Sequence, residues 1–446
     1  MKGPLNKCLE EWATHTPISM HVPGHKNGTI GNLPNVNSQF DVTEITGFDD
    51  LHHAEGVLKE SMNTLTRHAD YDAFYLVNGT TSGILAVIHA FHYVSGNVIM
   101  SRNVHKSVFN ALDLGHQHAK ILPTKVDNET LQYVEPVIRQ TYLNQGKLGV
   151  ITYPNYYGQT FDAQSVIQQF HDSNVPVLVD EAHGAHFDIQ GFPKSTLNFG
   201  ADYVVQSFHK TLPSLTMSSV LYIHKKAPQR DAVINLLQTF QSSSPSYLLM
   251  ASLESANYFY QSYESDYFFE RRVEVIQALQ EKQLEVTLVD DPLKILVYHP
   301  ALTGYELQQL MEALHIYVEL ADENHVLWIL PLWHSDDTFP LDDLLARIQQ
   351  LHVPNQTRHN NDVPQLLYTG EGDYVPDSFE HTREVSYHLA EDTILAKHLI
   401  LYPPGIPTLL KGEKVTASMI KLIDYWVEKG LRVEGLTEGK IKVKDD

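Results

Sequence analysis

Short runs of β-branched and aromatic residues recur along the first half of the chain, separated by segments long enough to form helices. The runs are FYLV (74–77), NVIM (97–100), LGVITY (148–153), VPVLVD (175–180), ADYVVQSF (201–208) and SSVLYIH (218–224). Runs of this length and composition predict strands. The intervening stretches ILAVIHAF, VFNAL and AQSVIQQFH predict helices, and the Tyr- and Glu-rich stretch 250–285 predicts further helices leaving the domain. Strand and helix in alternation predict a doubly wound α/β sheet over residues 31–285, preceded by an arm at 1–30. From about 286 the pattern restarts with KILVYHP, ELQQLMEALH, VLWILPLW and LDDLLARIQQLH, predicting a small α+β region to 352. The polar stretch VPNQTRHNNDVPQ (353–365) reads as a linker. A C-terminal domain, 366–446, carries YPPGIP (402–407) and a helix near ASMIKLIDYWVEKG.

A formal net charge of -22 changes the list of partners. Phosphate backbones are held by clustered Lys and Arg, so no nucleic-acid partner is expected. Cys8 is the only cysteine, which excludes an intrachain disulfide and a paired-cysteine zinc site. No apolar run approaches the roughly 20 residues that span a bilayer, and the N-terminus lacks a signal-peptide core. The expectation is a cytoplasmic protein without a membrane role. The 25 histidines, among them the pairs His183/His186 and His116/His118, lack HExxH or paired Cys/His spacing, so no metal is expected.

The candidate chemistry gathers just beyond strand C-termini, where open α/β sheets place their ligands. NGTTSG (78–83) opens a helix with small residues and two hydroxyls, Thr80 and Thr81, next to Gly79; free N–H groups there favour a dianion. His105 follows NVIM. Asp180 ends VPVLVD. Lys210 stands in SFHKT, where burial would lower the amine's pKa and make it a nucleophile toward a carbonyl. Pyridoxal phosphate needs these four things: a lysine, a carboxylate for the pyridinium nitrogen, a phosphate cradle and a group packed on the ring face. Taken singly, each has an ordinary explanation as a surface lysine, a turn aspartate, a helix cap or a structural histidine; together they predict an enzyme acting on an amino acid.

These residues resemble the fold-type-I ornithine/lysine/arginine decarboxylases, in the short form without an N-terminal wing domain. The resemblance runs through HVPGHKNG (21–28), DVTEITGFDDLHHAEG (41–56), NGTTSG, SRNVHKS, VDEAHGAHF (179–187), SFHKTLPSLT (207–216), SSSPSYLLMASLE (242–254) and YPPGIP. It implies a PLP-dependent transferase-like major domain, of the aspartate aminotransferase type, with a smaller α+β C-terminal domain. By the same resemblance Lys210 carries the cofactor, Asp180 partners the ring nitrogen, His105 stacks on the ring, and Gly79, Thr80 and Thr81 hold the phosphate. Ala182 and His183 lie against the cofactor, Ser207 and His209 flank phosphate and lysine, and the PGHK and DDLHHAEG segments form an entrance partly across a homodimer interface. The implied reaction releases carbon dioxide from a basic amino acid, with His209 or Lys210 returning a proton to Cα. A basic side chain needs carboxylates, and Glu44, Asp49, Asp50 and Glu55 are candidates. Where the family usually has Gln, Met217 stands here; Glu391 and Asp392 replace a Gly-Arg pair, and Lys411 replaces a proline. These departures leave the choice among lysine, arginine and ornithine open.

Three alternatives remain beside this reading. Aminotransferases and aldolases of the same fold also carry an Asp and a Lys, and fold does not choose a reaction. A non-catalytic PLP-binding regulatory protein would fit the altered motifs. DEAH (180–183) matches a helicase box, but no GxxxxGK[ST] accompanies it.

Overall fold

Strands that are apolar on both faces must be covered on both faces, and the central runs of this sequence are. The computed structural model describes residues 4–31, 33, 38–354, 370–376, 379–401 and 405–445. Seven strands of the main sheet come from the first half of the chain: β1 Tyr71–Leu76, β2 Asn97–Ser101, β3 Ala119–Leu122, β4 Gly146–Thr152, β5 Val177–Asp180, β6 Tyr203–Gln206 and β7 Ser219–His224. Further along are β8 Glu285–Leu288, β9 Lys294–Tyr298, β10 Leu320–Ala321, β11 Val326–Ile329 and β12 Gly372–Tyr374. The main sheet runs β12-β3-β2-β4-β5-β6-β7-β1. Strands β3, β2, β4, β5 and β6 are parallel, whereas β7 pairs antiparallel with both β6 and β1.

Side chains along β5 and β6 alternate between two cores, as the two-residue period of a strand requires. Val179 and Val204 enter one hydrophobic cluster, Leu178 and Val205 the other. Helices α1 Gly79–Ala90 and α2 Lys106–Leu114 supply Ile84, Val87, Val108 and Phe109 to the second cluster, and α3 Ala163–Asp172 supplies Phe170 to the first. The approach of α3 is close: a Cβ on Gly149 of β4 would lie 2.7 Å from the Phe170 ring. Gly149→Ala overpacks this buried contact and is expected to lower stability by about 1–3 kcal/mol, read from the shift of a urea unfolding midpoint.

The second sheet, β8-β9-β11-β10, shares a core with the first through Ile295, Val297, Val326 and Trp328. Residues Ile18–Met20 of the N-terminal arm pair in parallel with Ile316–Val318, so this arm is attached to the small region. β12, counted above with the C-terminal domain, hydrogen-bonds to the exposed edge of the main sheet through β3. Beyond it, Leu395, Leu399, Met419, Ile423, Trp426 and Val443 form a separate core under the helix Ala417–Glu428. Most of the linker 353–365 lies outside the described residues.

Candidate active site

Strands that run in one direction end together; β1, on the far side of antiparallel β7, runs the same way as β6, and five such ends bring their residues to one cavity. Thr80 follows β1, Asn103 and His105 follow β2, Tyr156 follows β4, Asp180 and His183 come from the end of β5, and Lys210 follows β6; all line it, with Ala182 and Ile406. Ile406 reaches the cavity because the segment around it is tied down. Buried Arg102 donates to the carbonyls of Pro407 and Thr408, each at 2.9 Å, and the Lys106 N–H donates to Gly405 at 3.1 Å. Tyr402, Pro403 and Pro404 of YPPGIP lie outside the described residues.

Lys210 sits in a one-turn helix, Phe208–Thr211, with Nζ 3.0 Å from His183 Nε2. Burial lowers its pKa, opposed by the charges of Asp180 and Glu319. Asp180 is 6% exposed and accepts the Ala182 N–H at 3.2 Å on Oδ1. Burial raises its pKa, opposed by Lys210 and by that N–H. Desolvation thus outweighs the mutual attraction of Lys210 and Asp180, and both are drawn toward their neutral forms. His183 is held well below its ordinary pKa by burial, with Lys210 adding to the effect, and its Nδ1 is buried with no hydrogen-bond partner among the described residues.

His105 caps α2. Its Nδ1 faces the Ser107 N–H at 3.2 Å and the Ser107 hydroxyl at 2.9 Å, which orients the ring. Burial and Lys210 push its pKa down to about 3, so the ring is neutral near pH 7. At the start of α1, Asn78 makes no side-chain capping bond, and Thr80 Oγ1 receives the Ser207 hydroxyl at 3.3 Å. Gly79 has φ +73°, and a Cβ there would meet open space. Its N–H is taken by the Met217 carbonyl at 3.0 Å, and Met217 itself adopts φ +81° with 45% exposure.

Several sequence candidates lie aside from the cavity. Thr81 is exposed because neighbouring residues on a helix point about 100° apart, and Thr80 takes the inward direction. His209 turns away from Lys210 for the same reason: its Nδ1 donates to the Ser218 carbonyl at 2.9 Å, while its own carbonyl receives the Gly24 N–H at 2.8 Å. Burial pushes its pKa down to about 4. In the acidic segment, Asp49 accepts the N–H groups of Gly56 and Leu58, and Asp50 accepts that of His52, so both stabilise their own loop. His186 is bound to Asp291 at 2.8 Å with both side chains fully buried. Lys411 pairs with Asp113 at 2.7 Å.

Tyr156 and Glu319 escaped the sequence reading. The Tyr156 hydroxyl donates to Glu319, whose other oxygen accepts the Val22 N–H at 2.9 Å. Tyr156 stood in a run read only as a polar turn, PNYYGQTFD, although its place just after a strand end was a usable signal. Glu319 gave none.

The residues present fit pyridoxal phosphate. A buried carboxylate whose pKa is raised by desolvation suits a protonated ring nitrogen, and a helix start without a side-chain cap, beside the Thr80 and Ser207 hydroxyls, suits a phosphate. The sheet order is that of the fold-type-I, PLP-dependent transferase-like fold. More narrowly, the chain belongs to the Orn/Lys/Arg decarboxylase family, whose major domain matches residues 3–291. It is 35% identical to an uncharacterised protein of Bacillus subtilis over 100% of this chain and 98% of that one. It is 28% identical to an arginine decarboxylase of the same organism over 97% and 95%. Lysine decarboxylase A from Pseudomonas aeruginosa superposes with a TM-score of 0.71 at 15% identity, covering 91% of this chain and 74% of that one.

Proposed function

We propose that this protein decarboxylates a basic amino acid, lysine, arginine or ornithine, with pyridoxal phosphate held by Lys210. The observation that carries the reading is the meeting of Lys210, Asp180, His105 and Thr80 in one cavity of a chain from this family. Pyridoxal phosphate, when bound, supplies an electron sink for the pair left at Cα as carbon dioxide departs.

The residues divide the remaining work. Burial keeps a larger fraction of the Lys210 amine neutral near pH 7 than in water, and the neutral amine is the nucleophile. Asp180 would keep a proton on the ring nitrogen, which strengthens the sink. His105 and Ala182 would pack against the ring. Thr80, Ser207 and N–H groups opening α1 would hold the phosphate. Lys210 lines the cavity whereas His209 is engaged with Ser218, so we assign proton return at Cα to Lys210.

The same reading places the reaction in the cytoplasm and in a homodimer. Among the described residues no helix is long and apolar enough to cross a membrane. Phe40, Ile45 and Phe48 expose apolar surface in and beside the 41–56 segment, as a face covered by a second copy would.

Incubation of purified protein and cofactor with each of the three amino acids tests the assignment. Arginine comes first, because full-length relatives carry that name. Carbon dioxide and the matching amine are expected in equal amounts with one substrate. Formation of a keto acid without carbon dioxide would move the protein to the aminotransferases.

A further inference from the structure

Glu319 belongs to the small region, between the strand Ile316–Val318 and β10, yet it binds a residue that lines the cavity of the main sheet. From Glu319 a continuous series of contacts leads to the reactive amine. The carboxylate accepts the Tyr156 hydroxyl. The Tyr156 ring meets the His183 ring edge-on, with centroids 4.5 Å apart and planes at 62°. His183 Nε2 then lies 3.0 Å from Lys210 Nζ. A second tie fixes the far end of the series, because Glu319 also accepts the Val22 N–H from the N-terminal arm.

The same arm is anchored on both sides of the cleft. Lys26 Nζ donates to the carbonyls of His21 and Ile329, at 2.6 and 2.8 Å, and Gly24 donates to His209. No bulkier residue fits at Gly24, where a Cβ would lie 2.6 Å from the Leu212 carbonyl oxygen. The arm, the small region and the Lys210 turn therefore meet around one carboxylate.

We propose that Tyr156 and Glu319 are positioning residues for Lys210: Glu319 holds the Tyr156 hydroxyl, and the Tyr156 ring holds His183 where it shares a hydrogen bond with the Lys210 amine. A tyrosine ring packed on a histidine edge limits the histidine's rotation, and a hydroxyl fixed by a carboxylate limits the tyrosine's. The charged and titratable groups around Lys210 are His183, Asp180, Glu319, His105, His209 and Lys294. Glu319 and Lys294 both act on the amine from outside the main sheet; Glu319 holds the Tyr156 side chain, whereas Lys294 donates to the Tyr156 carbonyl at 2.8 Å. The importance of Glu319 for turnover rests on Lys210 being the cofactor lysine, but the positioning itself can be read without cofactor.

The test is trace acetylation of the cofactor-free, full-length protein across a pH series, with Lys210 followed by mass spectrometry. The midpoint of the profile reports the charge of the amine, and the plateau at high pH reports its freedom to react once neutral. Tyr156→Phe and Glu319→Ala are each expected to raise the Lys210 plateau roughly three- to tenfold, the effect of losing one hydrogen bond. Because both break one linkage, the double variant should gain no more than either alone. Glu319→Gln keeps one oxygen to accept the Tyr156 hydroxyl and so a plateau near wild type, at the cost of the Val22 N–H, which then faces an amide donor, while its midpoint falls because a carboxylate that raised the amine's pKa is gone. Acetylation of the remote Lys225 should be unchanged throughout. A Lys210 plateau that Tyr156→Phe leaves unmoved, or additive effects of the two substitutions, would overturn the assignment. Should Tyr156→Phe not fold, the contrast between Glu319→Ala and Glu319→Gln decides. Absence of decarboxylation in the loaded wild type bears on the proposed reaction and leaves this readout intact.

Discussion

Lys210→Ala is expected to lower kcat for decarboxylation by on the order of 10³-fold or more, with the unfolding midpoint within experimental error of wild type. The loss is large because no other amine lines the cavity among the described residues. The nearest alternative, Lys294, is buried and donates to the Tyr156 carbonyl at 2.8 Å, which holds it behind the cavity wall. Stability should change little, since the one side-chain hydrogen bond of Lys210 among the described residues is to His183, and buried Asp180 can take up a proton once the lysine's charge is gone. Cofactor would still enter such a variant through the phosphate and ring contacts, but without a covalent link. The checks are initial rates of carbon dioxide release and the absorption spectrum of the loaded variant. Retention of a tenth of wild-type kcat would remove Lys210 from its assigned role.

Asp180→Asn gives the second large effect. The substitution keeps the side chain's size and its acceptor for the Ala182 N–H, and removes only the charge. A buried charge aimed at one atom is worth far more than the same charge in water, so kcat should fall by about 10²–10³-fold. The variant also relieves an energetic cost in the cofactor-free protein, because a carboxylate whose pKa is raised by burial is destabilised there. Unfolding of the cofactor-free variant is therefore expected at equal or higher denaturant, opposite in sign to the activity change. A variant that lost stability and activity together would point to a structural aspartate. The sign of the pH effect follows from the same shift. In the cofactor-free protein Asp180 takes up its proton at higher pH than an exposed aspartate, so the cost of its buried charge is relieved as pH falls through that raised value, a pH dependence that Asp180→Asn removes.

Much of this was legible in the sequence because the central strands carry their own signal. VLV in the strand Val177–Asp180 and YVV in Tyr203–Gln206 are uninterrupted apolar runs, and strands buried on both faces read that way. Strand ends in such a sheet converge whatever the loops do, so the sequence alone puts Asp180, His105, Thr80 and Lys210 near one another. Edge elements were not legible. Thr124–Val126 and Tyr133–Pro136 mix Lys, Glu and Pro into short hairpin strands, and Gly372–Tyr374 is a strand only because β3 offers it an unpaired edge. Glu319 could not be found from local pattern, since its partner Tyr156 lies 163 positions away. Side-chain direction within a motif was likewise hidden. Thr80 and Thr81 look equivalent in NGTTSG, and His209 and Lys210 look equivalent in SFHKT, until helical phase turns one of each pair away from the cavity.

The claim on which the rest depends is that Lys210 bears the cofactor, and borohydride reduction of the protein loaded with pyridoxal phosphate tests it most directly. Reduction converts a lysine-bound cofactor into a stable secondary amine, and digestion with mass spectrometry locates it. One modified peptide is expected, spanning SFHKTLPSLT, with the label on Lys210 and none in the Lys210→Ala variant. A label on any other lysine, or an unlabelled protein that nonetheless turns over substrate, would contradict it.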